Sequence, residues 1–268
     1  MLQEKSVVLI GAGNVATSLG HTLHRRGIPV TQVFSRTRES AQALAAKIGA
    51  EAVSRWELLC DDAGVYIVSL PDEVLTREVS RLVAGREQAL WVHTAGSVPM
   101  QVWEGYTSRY GVLYPLQTFS KAREVDLSRV PLFVEANSPQ DTLFLRQWAG
   151  QLSEQVYEAD STQRKALHLS AVFACNFVNH LYAIAGEWLA RHGLPFETLL
   201  PLIDETARKV HALPPRQAQT GPAVRYDEAT IQTHLNALEE WPEWQQLYER
   251  LSRDIQDMDS GQQHTPII

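Results

Sequence analysis

The stretch Ser6-Val7-Val8-Leu9-Ile10-Gly11-Ala12-Gly13-Asn14-Val15-Ala16 constrains this chain more than any other. Val7 to Ile10 form an unbroken apolar, mostly β-branched run, the composition of a strand buried on both faces of a parallel sheet. Two glycines spaced Gly-x-Gly follow at once, and Asn14 to about Arg25 can form a helix. Strand, glycine turn and helix in this order make the dinucleotide-binding fingerprint. Gly11 permits the tight turn, Gly13 lets a pyrophosphate approach the backbone, and Ala16 packs the helix against the strand. The helix start at Asn14 and Val15 offers free N–H groups and a partial positive charge to phosphates. The competing explanation is a glycine turn that binds nothing.

The end of the second expected strand, 29–35, bears on which dinucleotide fits. An NAD site carries Asp or Glu about 20 residues past the glycines, where it holds the ribose 2′-hydroxyl. Here Val33-Phe34-Ser35-Arg36-Thr37-Arg38 has no acid before Glu39. Arg36 can stack on adenine and pair with a 2′-phosphate through its planar fork. Ser35 and Thr37 add hydroxyl donors. NADP is therefore expected in preference to NAD; the alternative leaves Arg36 as a solvated loop residue.

Further strands are expected at 50–53, 64–70, 89–94, 110–114, 131–135 and 155–158, with helices at 39–48, 71–83 and 139–152. Ligands of open α/β sheets bind at the C-terminal ends of the strands. Leu70 and Pro71, with Pro71 in the first turn of its helix, either wall the nicotinamide ribose or form a plain βα turn, and Thr94 falls on the same edge. His93 and Ser97 there, and Gln117 and Thr118 in the loop after 110–114, are substrate-binding candidates; the alternative is that a histidine at a strand end is only a satisfied structural residue. After Asp160 the strand signals stop. The expectation is an α/β fold: an N-terminal Rossmann dinucleotide-binding domain (1–159), an all-α C-terminal domain (160–258) capped by Asp160 or Ser161, and a tail (259–268).

Residues 162–192 have no Pro and can form one helix. At about 100° per residue, Lys165, His168, Asn176, Asn179 and His180 share an arc of about 120° on a helix otherwise rich in Ala, Leu, Val and Phe. An exposed stripe usually carries Glu, Lys and Arg, so this one reads as a functional face on a buried helix. Lys165, His168 and His180 are candidate proton donors; Asn176 and Asn179 would orient a substrate. Further helices are expected at 194–211, with Leu199, Leu200, Leu202 and Ile203 as core positions, and at 227–238 and 244–255, with Pro242 between them. Arg225, in the loop 219–225, could reach an acidic substrate.

With 44% apolar residues the chain can build a sizeable core. Its net charge of −7 and lack of a Lys/Arg run argue against nucleic-acid binding. No apolar run approaches the roughly 18 residues of a membrane span. Residues 1–5 lead straight into the first strand, which leaves no room for a signal peptide. The two cysteines, Cys60 and Cys175, have no metal or redox spacing. A cytoplasmic, reduced protein without metal is expected.

The strand end FSRT after GAGNVA resembles pyrroline-5-carboxylate reductase and the wider 6-phosphogluconate dehydrogenase-like superfamily. Over nearly its full length the chain resembles a bacterial family of Rossmann-like NADP-dependent oxidoreductases with a C-terminal helical domain of unknown function. HTAGS (93–97), YPLQTFSK (114–121), HLSAVFACNFVNHLY (168–182) and QTGPAVRYD (219–227) carry that resemblance. The long helix opens Lys165-Ala166-Leu167-His168 where pyrroline-5-carboxylate reductase has small residues, so the proline-ring substrate is not expected. The resemblance implies a reductase that dimerises through its helical domain, and it leaves the substrate open. Hydride transfer between NADP and a small carbonyl, imine or hydroxy acid is the leading expectation. A non-catalytic NADP sensor and a deazaflavin-linked reductase are the alternatives.

Overall fold

The computed structural model describes residues 6–123 and 125–260. Residues 1–5 and nearly all of the expected tail lie outside the described residues. The first half alternates strand and helix: β1 (Val7–Ile10), α1 (Asn14–Arg25), β2 (Val30–Phe34), α2 (Arg38–Ile48), β3 (Glu51–Val53), β4 (Val65–Val68), α3 (Asp72–Val83) and β5 (Leu90–His93). Then come β6 (Arg109–Pro115), β7 (Leu132–Ala136), α4 (Pro139–Ala149) and β8 (Val156–Glu158). These strands form one sheet in the order β3-β2-β1-β4-β5-β6-β7-β8. All neighbouring pairs are parallel except β6 and β7, which run antiparallel. The connection from β1 crosses to β2 on one side, while β4 joins β1 on the other. That topological switch opens a crevice at the C-terminal ends of β1 and β4, where such sheets take their ligands.

β1 shows why its sequence is unbroken apolar. Val7 and Leu9 pack into one layer with Leu19 and Leu23 of α1 and Leu44 of α2. Val8 and Ile10 pack into the opposite layer with Leu75 and Val79 of α3 and the stacked rings of Tyr66 and Trp91. Each face is sealed, so a polar residue at any of the four positions would lose its water without a partner.

Beyond β8 the chain is helical. α5 (Ser161–Ala171) starts on a capping box, in which Asp160 and Gln163 each bond the other's backbone N–H. A π-helical segment, Val172–Phe177, follows, and then α6 (Val178–Arg191). The expected single regular helix is thus corrected. A π segment adds residues to the turn, so angles counted at 100° per residue from Lys165 do not carry past Ala171 to Asn176, Asn179 and His180. The helix is also not buried: of α5, the π segment and α6, only Arg164 is buried. By length and composition the 31-residue stretch Ser161–Arg191 could cross a membrane, which the search for apolar runs does not anticipate. Lys165, His168, Asn176, Asn179 and His180 along it would be costly in hydrocarbon.

The chain divides into two compact units, Met1–Phe177 and Val178–Ile268. The first holds the sheet, α5 and the π segment. The second holds α6, α7 (Leu200–Ala212), α8 (Pro215–Ala218), α9 (Glu228–Ala237) and α10 (Pro242–Asp259). Pro242 is the first residue of α10 rather than a break before it, a position where its missing N–H costs nothing. Leu200 and Leu202, expected in a core, are exposed. Within this unit the Trp188 and Trp241 rings meet edge to face at 5.2 Å.

Candidate functional site

The glycine turn is built for close approach. Gly11 has φ +120°, and a Cβ there would come within 2.3 Å of the Ser69 carbonyl oxygen at the end of β4. Only glycine fits where the two strand ends turn past each other. Gly13 is the cap residue of α1 and makes no side-chain cap. A Cβ built on it meets nothing within 4 Å among the described residues. The turn is therefore open at Gly13, beside the first-turn amides of α1, the arrangement that takes a pyrophosphate. Ala16 is fully buried against the sheet. Asn14 Nδ2 donates to the Phe119 carbonyl at 2.9 Å, which ties the loop after β6 to the turn. At the end of β2, Ser35 donates its N–H to Val53, Arg36 is exposed, and Thr37 bonds the Ser40 hydroxyl at 2.7 Å.

Further along the same edge, the ends of β4, β5 and β6 converge. Thr94 Oγ1 donates to Ser69 Oγ at 3.0 Å, and the Ser97 hydroxyl donates to Asp72, the first residue of α3. Pro71 is therefore the cap residue before that helix, not part of its first turn. His168 of α5 sits against this edge. A Cβ on Gly96 would lie 2.7 Å from His168 Nδ1, so the backbone approaches as closely as glycine allows. The same Nδ1 meets the Tyr114 hydroxyl at 3.1 Å, with the rings edge to face. Burial raises the Tyr114 phenol above its usual range, and the Arg164 charge opposes that rise.

Arg164, one turn before His168, is what bolts α5 to the sheet. Its guanidinium is fully buried and pairs with Glu135 of β7 at 2.5 Å. It also donates to the Val98 carbonyl at 2.6 Å and to Ser161 Oγ at 3.2 Å. Glu135 in turn accepts from the Ser161 N–H and hydroxyl.

His93 is not on the open edge. It is wholly buried, beside the Trp103 ring, and accepts from the Ala95 N–H at Nδ1. Burial first, and the Arg164 charge second, push it down to about 3. It is neutral and structural, and a substrate would not reach it.

The first unit thus brings together Gly11, Gly13, Asn14, Val15, Ala16, Leu70, Pro71, Thr94, Ser97 and His168 along one strand-end edge, with Ser35, Arg36 and Thr37 at the adjoining end of β2. Lys165 is exposed on α5, and Asn176 is exposed in the π segment. Gln117 and Thr118 are exposed, and the Gln117 side chain accepts from the Thr118 N–H at 2.8 Å. Asn179, His180 and Arg225 belong to the second unit. Sequence reasoning missed Tyr114, whose only signal was its place at a strand end opening the YPLQTFSK stretch. Arg164 was not singled out either; no local signal marks it.

Residues 6–95 match the family described as NADP oxidoreductase coenzyme F420-dependent, and residues 130–255 match the domain of unknown function DUF2520. The structure of a candidate NADP oxidoreductase from Bacteroides fragilis is 54% identical; the match covers 96% of this chain and 100% of that one, with a TM-score of 0.92. An imine reductase from Myxococcus stipitatus, in complex with NADP+, shares the fold at 15% identity, with coverage of 96% and 95% and a TM-score of 0.67. A glutamyl-tRNA reductase from Stutzerimonas stutzeri is 37% identical over 78 residues, 29% of this chain. The chain spans only 16% of the length of that curated relative.

Proposed function

The chain, whose F420-type NADP oxidoreductase match precedes its DUF2520 match, belongs to the family of the Bacteroides fragilis protein, and on that premise we propose that it is an NADP-dependent oxidoreductase acting on a small carbonyl, imine or hydroxy-acid compound. The observation that carries this reading is the placing of His168 against Gly96, on the strand-end edge that also carries the glycine turn. When bound, the nicotinamide supplies or accepts the hydride. The α1 amides and Gly13 hold the pyrophosphate, and Arg36, with no acid beside it before Glu39, takes the 2′-phosphate. Reduction of a carbonyl or imine also needs a proton donor at the atom where charge develops. His168 is that donor, with Lys165 the second candidate.

The test is a fluorescence titration with NADPH and NADH, followed by cofactor depletion with a panel of keto acids and cyclic imines. NADPH binding at micromolar levels and turnover of one panel member are expected; no binding of either nucleotide overturns the reading. The description of the matched N-terminal family favours one second reading, in which a deazaflavin is the hydride partner of NADP. A deazaflavin in the same panel separates the two.

We further propose that a second copy of the chain covers the apolar face of the helical region. Leu169 and Phe173 in the first unit are 58% and 62% exposed, and Leu202 in the second is 63% exposed; exposed apolar side chains of this size mark an interface. Light scattering on the purified protein should give a dimer, and Leu202→Glu should shift it to monomer.

A further inference from the structure

The two nitrogens of His168 face different surroundings. Nδ1 lies on the strand side, 3.1 Å from the Tyr114 hydroxyl and directly over Gly96. Nε2 is the far end of an exposed side chain. In an imidazole, the hydrogen bond made by one nitrogen sets what the other carries. We propose that Tyr114 is a positioning residue that keeps a proton on His168 Nδ1, so that Nε2 alone gains and loses the proton of the reaction. This rests on the reading of His168 as the proton donor.

The chemistry closes in both protonation states. In the imidazolium both nitrogens carry hydrogen: Nδ1–H donates to the Tyr114 oxygen, and Nε2–H is offered to the substrate. As the carbonyl or imine carbon takes a hydride from a reduced nicotinamide dinucleotide, the electron pair of the double bond moves onto oxygen or nitrogen. That atom takes the proton from Nε2. His168 is left neutral, with a lone pair on Nε2 and its remaining hydrogen still on Nδ1, still bonded to Tyr114. In the oxidative direction the same Nε2 lone pair receives the proton of the hydroxy or amino group.

Tyr114 suits the task because a phenol oxygen accepts a hydrogen bond without giving up its own proton. Burial holds the phenol in its protonated form through the neutral range. The geometry is held from both sides of the ring. Tyr114 lies in β6, paired across the sheet with Phe133 of β7. α5 is held by the buried Arg164–Glu135 pair one turn before His168. Gly96 lies on a third side, where a Cβ would fall only 2.7 Å from Nδ1.

The experiment is nitrogen NMR of histidine-labelled protein, with His168 assigned by the signal lost in His168→Gln. In the wild type, neutral His168 is expected to show a protonated Nδ1 and an unprotonated Nε2. Tyr114→Phe keeps the ring and removes the hydroxyl. It should move the neutral tautomer towards Nε2–H and lower kcat about tenfold or more while KM stays within about threefold. A wild-type His168 that carries its neutral proton on Nε2 overturns the proposal with no variant needed. So does a folded Tyr114→Phe whose tautomer is that of the wild type. If His168→Gln instead keeps full turnover, the proton-donor reading fails while the tautomer result stands, so the two failures are distinct.

Discussion

Gly96→Ala is the sharpest perturbation of this site. The added Cβ would lie 2.7 Å from His168 Nδ1, 2.8 Å from Cγ and 3.0 Å from the His168 Cβ. Ordinary contact begins at 3.4 Å, so the imidazole must retreat by 3.4 − 2.7 = 0.7 Å at Nδ1. Contact with Cγ and Cβ as well means that a rotation of the ring does not relieve the overlap; the side chain must shift as a whole. A shift of that size disturbs the 3.1 Å contact between Nδ1 and the Tyr114 hydroxyl, which has little slack before it leaves hydrogen-bond range. The stability cost is about 1–3 kcal/mol for overpacking, plus up to about 1 kcal/mol for the disturbed bond. On the proposed role of His168 as general acid, a displacement of this size should lower kcat by about 10- to 100-fold, within the range such groups contribute. The assay is steady-state turnover with NADPH titration and a melting curve alongside. Cofactor Kd should stay within about twofold, because the glycine turn lies at the end of a different strand. Gly13→Ala is the converse. Its Cβ meets nothing within 4 Å, so the fold should hold while NADPH Kd rises about tenfold or more. A folded Gly96→Ala with wild-type kcat would refute the placing of His168 at the reacting centre.

Arg36→Asp should weaken NADPH binding by about tenfold or more and leave NADH binding little changed or improved, read as the ratio of the two Kd values. Arg164→Met removes the charged partner of the part-buried Glu135 carboxylate, which keeps only its bonds from Ser161, and a loss of about 1–3 kcal/mol is expected in denaturant unfolding. His93→Gln tests the buried histidine by pH. The folded protein holds His93 neutral down to about 3, whereas the unfolded chain takes up a proton near 6.5. The His93 contribution is therefore fully present above about pH 6.5 and is lost as pH falls from there towards 3. The substitution should flatten the fall of Tm across that window, and an unchanged slope would show that His93 is not the titrating group.

Features that depend on neighbours in the chain were legible in the sequence. The apolar run Val7–Ile10, the glycines at 11 and 13 and the small residue at 16 act within a single strand–turn–helix unit, and the structure builds that unit as read. The alternation of strand and helix up to Glu158, and the helices after Asp160, follow from the same local signals. The missing acid after β2 was legible for the same reason, since the cofactor-facing end of that strand is set by the strand itself.

What the sequence could not decide was which distant side chains meet. Tyr114 and His168 are 54 residues apart, and Arg164 and Glu135 are 29 apart. Neither pair leaves a pattern in either segment, because the contact is made by the order of the sheet. The π segment is equally silent in composition. It defeated an angular argument that assumed one helical period throughout, and with it the grouping of Asn176, Asn179 and His180 with His168. His93 shows the limit from the other side: a histidine at a strand end reads equally as a site residue or as a structural one, and burial under Trp103 and beside Arg164 makes it a neutral part of the core. By itself the sequence determined the strand–turn–helix cradle, because short-range hydrogen bonding and hydrophobic periodicity are sufficient for it. The tertiary structure alone decided which polar groups of α5 are sealed and which face the edge, because burial and hydrogen-bond partnership depend on how the strands are ordered in space.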